Sequence, residues 1–396
     1  MASSNAKRTL TALEKVDLAL RGPLVFFPSV IFNCVRCASL AWQRGLPVKP
    51  YLATGLLRTI LGTLSPRQIQ YLSLTVVETY ENWMAKRTRE ATKNDDTLAL
   101  SRLNTHIEHL SDGRSSLLWI GNREEASRYI LFVPGGGFIA PLTSGHLEWC
   151  WQAYVKGTGR EEVAVAVLQY TLCPEARHPI QLQQATAALR HLLDSGIPPS
   201  CMVVGGDSAG GNLVAQLLGH LAEPGDASTS LTEPLAGVFL VSPWLSGMTN
   251  TYSFYDNGWI DMLSPGHTDH SLREFANFTK AKAPDGPDVV TRCGLPLDDD
   301  DDGEWMVGWE KVTKALYVTV GANEVLRDQG VLFAEAVRRR NRDVRVRLDI
   351  LETDAHDFIL LNGMELINTD GSMSESLPPR LASHQAEILL YFEDEG

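Results

Sequence analysis

Ser208 stands in Gly206-Asp207-Ser208-Ala209-Gly210, with a glycine two positions away on either side. A serine on a sharp strand-to-helix turn exposes its hydroxyl, and larger residues at those two glycine positions would collide with the neighbouring strand and helix. Met202-Val203-Val204 reads as an apolar strand running into the turn, and Asn212 to Leu221 reads as a helix leaving it. A serine hydroxyl becomes a useful nucleophile when a base takes its proton. Of the ten histidines, His356 alone lies just after the last strand, five residues past Leu351 in Asp354-Ala355-His356-Asp357-Phe358. The imidazole in turn needs a carboxylate to fix its tautomer. Two compete after the preceding strand, Ala315 to Val320. Glu324 lies four residues past that strand, and Asp328 lies one helical turn further on. Spacing favours Glu324 and leaves Asp328 as the alternative acid. Gly135-Gly136-Gly137 follows a strand ending at Val133, and glycine lets backbone N–H groups approach a substrate closely. The donors expected for a developing oxyanion are Gly136, Gly137 and the backbone N–H of Ala209.

These residues need a scaffold that gathers distant segments. Apolar runs at Leu117–Ile120, Arg128–Val133, Val163–Tyr170, Cys201–Val204, Leu235–Val241, Ala315–Val320 and Val344–Leu351 alternate with helical stretches such as 181–193, 212–221 and 326–340. A final helix is expected over about 380–392. Apolar strands alternating with helices predict an α/β fold, with a mostly parallel sheet covered on both faces. Residues 1–95 read as helical, broken into short pieces by Pro23, Pro28, Pro47, Pro50 and Pro66. The stretch 246–310 interrupts the alternation. It is expected to join the N-terminal helices in a cap over a catalytic domain of residues 96–396.

The motifs resemble the hormone-sensitive-lipase-like branch of the α/β hydrolases. They are Gly135-Gly136-Gly137-Phe138, Tyr170-Thr171-Leu172-Cys173-Pro174-Glu175, Gly206-Asp207-Ser208-Ala209-Gly210-Gly211-Asn212-Leu213 and Ser242-Pro243-Trp244. The resemblance covers roughly residues 125–392 and implies an α/β hydrolase fold with a helical cap. Leu326-Arg327-Asp328-Gln329-Gly330 matches the segment that follows the family's acid, which implies Glu324 in that role. The chain departs from the family at Pro134, where relatives carry a loop-organising histidine; the triad is untouched, and the geometry of the oxyanion loop is left open. The implied activity is hydrolysis of a small hydrophobic carboxylic ester, such as an acetylated sterol or secondary metabolite, through an acyl-enzyme. The alternative is acyl transfer or cyclisation by the same triad. His356 argues against a non-catalytic binding protein on this scaffold. Phe138, Trp149, Trp151 and Trp244 are candidate pocket walls, with a place in the core the favoured reading for each.

Composition narrows the partners. A net charge of −13 over 396 residues offers no basic stripe for a phosphate backbone, so nucleic acid is not expected. No cofactor or metal is expected: the six cysteines are sparse, and Cys34-x-x-Cys37 has no second pair to complete a zinc site. Asp298 to Asp302 reads as a solvated acidic loop, and Arg338-Arg339-Arg340 as charge suited to a helix C-terminus. The start of the chain does not read as a secretory signal, so Asn277-Phe278-Thr279 carries no weight as a glycosylation site and a cytoplasmic protein is the default. The apolar patch Leu24–Phe32 looks too short and too broken to span a bilayer. A buried cap helix is the favoured reading, and peripheral membrane contact the other.

Overall fold

The computed structural model describes residues 8–156, 162–222, 231–276, 294–298 and 306–360. Eight strands form one sheet: β1 (Ile107–His109), β2 (Ser116–Ile120), β3 (Arg128–Val133), β4 (Val163–Gln169), β5 (Met202–Asp207), β6 (Gly237–Val241), β7 (Ala315–Gly321) and β8 (Arg345–Leu351). The order is β1-β2-β4-β3-β5-β6-β7-β8. The β1/β2 and β2/β4 pairs are antiparallel and every later pair is parallel. Central strands β2, β4, β5, β6 and β7 are buried along their whole length, as expected for a sheet packed on both faces. The short β1 carries only three residues and no run of apolar side chains, so periodicity does not reveal it.

Helices α8 (Ile180–Asp194), α9 (Ser208–Ala222) and α12 (Arg327–Arg340) connect the parallel strands. The helix after the turn begins at Ser208 itself, four residues before the apolar periodicity from Asn212 suggests. β5 and α9 close so tightly that a Cβ at Gly206 or Gly210 would collide with the Val133 carbonyl of β3. The strand ends therefore gather Gly135–Gly137, Ser208, Ser242, Glu324 and His356 along one edge, where ligands of open α/β sheets bind.

Two N-terminal expectations are corrected. Pro23 and Pro28 do not break the chain into short helices: α1 (Ala12–Arg21), a π-turn over Gly22–Phe26 and α2 (Phe27–Gln43) form one continuous 32-residue helical run. The prolines flank the π-turn, where the Phe27 N–H reaches back to the Gly22 carbonyl and the ladder is locally widened, so the run continues past both. That run is long and apolar enough, by length and composition, to cross a membrane. Nor is it a buried helix: Leu24 is 73% exposed, Ile31 67% and Trp42 76%. It packs one side on α3 (Val48–Thr63), where Asn33 Nδ2 donates to Thr59 Oγ1 at 2.9 Å and a Cβ at Gly55 would strike the backbone of Asn33 and Cys34. Helices α4 (Pro66–Leu72), α5 (Val76–Lys93) and α6 (Thr97–Arg102) lead into the sheet. Cys34 and Cys37 are free thiols on α2.

Between β6 and β7, α10 (Tyr252–Asn257) and α11 (Pro265–Phe275) sit with α3 above the strand ends. Phe275 of α11 stacks on Phe138 at 3.9 Å and 8°. Asp298 is not merely a solvated charge: its carboxylate accepts from Ser246 Oγ and the Gly247 N–H. Residues 299–302, the sequon at Asn277 and the expected C-terminal helix over 380–392 lie outside the described residues.

Candidate active site

Ser208 adopts φ +48°, the left-handed region that a side chain enters only when its surroundings hold it there. The strain follows from the turn: β5 ends at Asp207 and α9 starts on the next residue. His356, delivered by the loop after β8, places Nε2 2.9 Å from Ser208 Oγ. Its Nδ1 faces Glu324 Oε2 at 3.6 Å. Glu324 Oε2 also accepts from Ser242 Oγ at 2.6 Å, and Ser242, at the end of β6, accepts from the Asp357 N–H at 3.3 Å. All three of Ser208, His356 and Glu324 are buried. Asp328 is directed elsewhere: its carboxylate accepts from the Ser253 N–H at 2.7 Å and pairs with Arg327.

Burial alone would lower the pKa of His356, but the facing Glu324 carboxylate and the nearby carboxylates of Asp357 and Asp261 outweigh it and raise it. Asp357 is itself pushed well up by burial and by Asp207 beside it.

The same set of groups shows how a loop without the usual histidine is held. Asp207, fully buried, accepts from the Gly135 N–H at 3.0 Å. His146 of α7 (Ser144–Cys150) takes the Thr143 N–H on Nδ1 at 3.2 Å, which leaves Nε2–H to donate to Asp207 at 3.2 Å. Tyr170 donates to the Pro134 carbonyl at 2.8 Å. Pro134 therefore contributes an acceptor, and Asp207 supplies the anchor. Gly136 and Gly137, with φ of +110° and +60°, turn the loop across the cavity that Ser208 and His356 also line. Ala209 follows Ser208 in the first turn of α9 and is buried.

His146 and Asp207 were not legible as functional. Asp207 was visible only as the variable position of the serine motif, and His146 lies in a segment where no helix is predicted. Replacing His146 with alanine is expected to loosen the glycine loop and reduce kcat on p-nitrophenyl acetate about 10–100-fold, the scale of a small misplacement. Wild-type kcat in a folded His146→Ala protein would refute that anchoring role.

The cavity over Ser208 has a volume of about 100 Å3. Leu57 and Leu61 of α3, Met262, Leu263 and Trp244 supply its apolar wall. Of the four aromatic candidates, Trp244 alone lines it. Trp149 packs beneath the sheet with Phe132, Tyr154 and Phe239, Trp151 meets Trp83, and Phe138 is taken up by Phe275.

A family profile described as an alpha/beta hydrolase fold matches residues 130–360. An acetyl-hydrolase of Streptomyces hygroscopicus is 34% identical over 134 residues, covering 33% of this chain and 41% of that protein. The match thus spans less than half the length of that relative. An esterase of Acinetobacter venetianus is 25% identical over 238 residues, covering 60% of this chain and 69% of that protein. Among solved structures, an esterase from the bacterial hormone-sensitive lipase family superposes with a TM-score of 0.56 at 21% identity, over 80% of this chain and 98% of that one. A carboxyl esterase of the fungus Tuber melanosporum gives 0.57 at 18% identity, over 74% and 87%. Profile, relatives and fold agree with the ordered motifs, which are similar to those of the hormone-sensitive-lipase-like branch, and the chain belongs to the α/β hydrolase family.

Proposed function

We propose that the protein is a serine-dependent carboxylic-ester hydrolase acting on a small hydrophobic ester with a short acyl group. The observation that carries this reading is the 2.9 Å approach of His356 Nε2 to Ser208 Oγ beneath an apolar cavity. Ser208 attacks the ester carbonyl as His356 accepts its proton. Gly136, Gly137 and Ala209 N–H groups receive the oxyanion, and Glu324 supports the imidazolium. His356 returns the proton to the leaving alcohol, and water then repeats the sequence on the acyl-enzyme. A volume of about 100 Å3 is well below the roughly 300–1,000 Å3 of drug-sized ligand sites, which supports a short acyl group such as acetyl. The test is labelling by a fluorophosphonate probe, with and without Ser208, together with turnover of short p-nitrophenyl esters in water. Labelling without aqueous turnover would favour acyl transfer.

The second part of the proposal is that the helical run Ala12–Gln43 lies on a lipid surface. Its inner side is taken by α3, so it is placed to lie along a bilayer more readily than to span one. Arg36 sits over the rings of Phe32 on this helix and Trp259 on the cap, at 5.3 and 5.2 Å, which joins the helix's exposed face to an exposed cap tryptophan. Tryptophan favours membrane interfaces. The wild-type protein is expected to float with phosphatidylcholine vesicles and to be released by carbonate at high pH. A triple variant, Leu24→Asp, Phe27→Asp and Ile31→Asp, is expected to stay behind while folded. Wild-type protein that does not float, or that resists carbonate, would overturn the surface-lying arrangement.

A further inference from the structure

The loop that carries Glu324 is held from outside the hydrolase core. Glu324 lies between β7 and α12, and its carboxylate makes one short hydrogen bond, from Ser242. Oε1 has no hydrogen-bond partner among the described residues. Its placement therefore depends on the backbone on either side. Asn257, at the end of α10, donates from Nδ2 to the carbonyls of Ala322 and Glu324, each at 3.0 Å. Asp261 Oδ2 accepts from the Val325 N–H at 2.6 Å, and Ser253 Oγ donates to the Val325 carbonyl at 2.6 Å. These side chains belong to the segment between β6 and α11, which the N-terminal helices hold in turn. Arg44 Nη1, just past α2, donates to Oδ1 of Asn257 at 2.8 Å and of Asn323 at 3.1 Å. Arg58 of α3 donates to the carbonyls of Asp261 and Leu263 at 2.6 and 2.8 Å.

Asp261 is a fully buried carboxylate that the acyl-transfer mechanism does not use. An isolated buried charge is costly, so one retained beside a reacting group calls for a reason. Its surroundings are His356 and Glu324 on one side and Arg58, Cys37 and Tyr51 of the N-terminal helices on the other.

We propose that Asn257 and Asp261 are positioning residues that couple the seating of the cap to the placement of the catalytic acid. The cap therefore does more than roof the cavity: when it is seated, Ala322, Glu324 and Val325 are bonded in the register that presents the Glu324 carboxylate to His356. When it lifts, the acid loop loses those bonds and the base loses its orienting partner. Asp261 adds a buried carboxylate near the imidazole, beside that of Glu324; Asp357 also faces the imidazole, its pKa pushed well up by burial, and His267 across the cavity is held neutral, chiefly by burial.

This inference rests on the Ser208–His356–Glu324 reading, and its test separates the two. The second-order rate constant of fluorophosphonate labelling is measured against pH for the full-length wild type, Asn257→Ala and Asp261→Asn, with unfolding midpoints recorded alongside. Neutral His356 is the reactive base, so labelling rises with pH along a limb set by its pKa. Asn257→Ala is expected to label at least about 10-fold more slowly across the pH range, as a displaced acid would cause. Asp261→Asn keeps an acceptor for the Val325 N–H and loses the charge, together with the longer contact from the Leu263 N–H to Oδ1 at 3.4 Å. Its limb is expected to move to lower pH by roughly half a unit or more, because a nearby negative charge stabilises the imidazolium. A purely structural Asp261 would leave that limb where it is. Wild-type protein that fails to label overturns the triad reading and with it this inference. Wild-type protein that labels, beside an Asp261→Asn protein with an unmoved limb or a folded Asn257→Ala protein at wild-type rate, overturns the coupling alone. Asp261→Asn preserves shape, so its arm decides even if Asn257→Ala does not fold.

Discussion

Ser208→Ala lowers turnover of p-nitrophenyl acetate by on the order of 10⁴–10⁶-fold and removes fluorophosphonate labelling, with the unfolding midpoint nearly unchanged. The size of the effect follows from what the hydroxyl does. Without it no acyl-enzyme forms, and the remaining rate comes from binding and the glycine-loop donors alone. The neutral effect on folding follows from what the hydroxyl touches: its one recorded side-chain hydrogen bond is to His356 Nε2. Alanine also removes little bulk at φ +48°, although the left-handed strain remains. His356→Ala is expected to cost about as much, and the double variant no more than either single one, because the two groups act as a unit. A Ser208→Ala protein that still labels would mean that another nucleophile reacts, and the assignment of this site would fall.

Ser208 and His356 could be read from the sequence because each is tied to a local pattern: a glycine-flanked turn between an apolar strand and a helix, and a histidine just past the last strand. The parallel sheet was legible for the same reason, since its central strands are continuous apolar runs. What could not be read depends on contacts between segments far apart in the chain. Asn257 and Asp261 look like ordinary polar residues of an irregular insertion until α10 is laid against the loop after β7. His146 meets Asp207 from 61 residues away, and without that bond Pro134 appears to leave the loop without support. Trp149 and Trp151 take the favoured core reading and Trp244 the pocket one, a choice the sequence leaves open because large aromatics suit both. The prolines misled. Proline ordinarily breaks a helix interior, and only the register of the π-turn at Gly22–Phe26 shows how one run holds both Pro23 and Pro28. That register also turns a patch of modest length into a 32-residue helix with an unburied apolar face.

Glu324→Gln lowers kcat by about 10³–10⁴-fold, whereas Asp328→Asn changes it less than about 3-fold. The two carboxylates stand four residues apart, and their surroundings separate them. Glu324 reaches His356 Nδ1 at 3.6 Å and is fixed by the Ser242 hydroxyl; apo contacts of this kind commonly tighten once substrate is bound. A glutamine there presents an amide that can turn its N–H2 toward the imidazole, which favours the wrong tautomer and offers no charge to the imidazolium that forms during attack. The loss should appear in kcat and kcat/KM together, because Glu324 stabilises the transition state and does not line the cavity. Asp328 is bound to the Ser253 N–H and to Arg327, so its replacement weakens the seating of α10 and not the chemistry. Asparagine keeps an acceptor for the Ser253 N–H, and the expected cost is about 1 kcal/mol of stability, read as a lowered unfolding midpoint at unchanged kcat. If Asp328→Asn alone abolished turnover in folded protein, the acid would be Asp328, and the Asn257 and Asp261 contacts would be steadying a loop that takes no part in the reaction. The coupling of cap to acid thus depends on which of two carboxylates, one helical turn apart, faces the base.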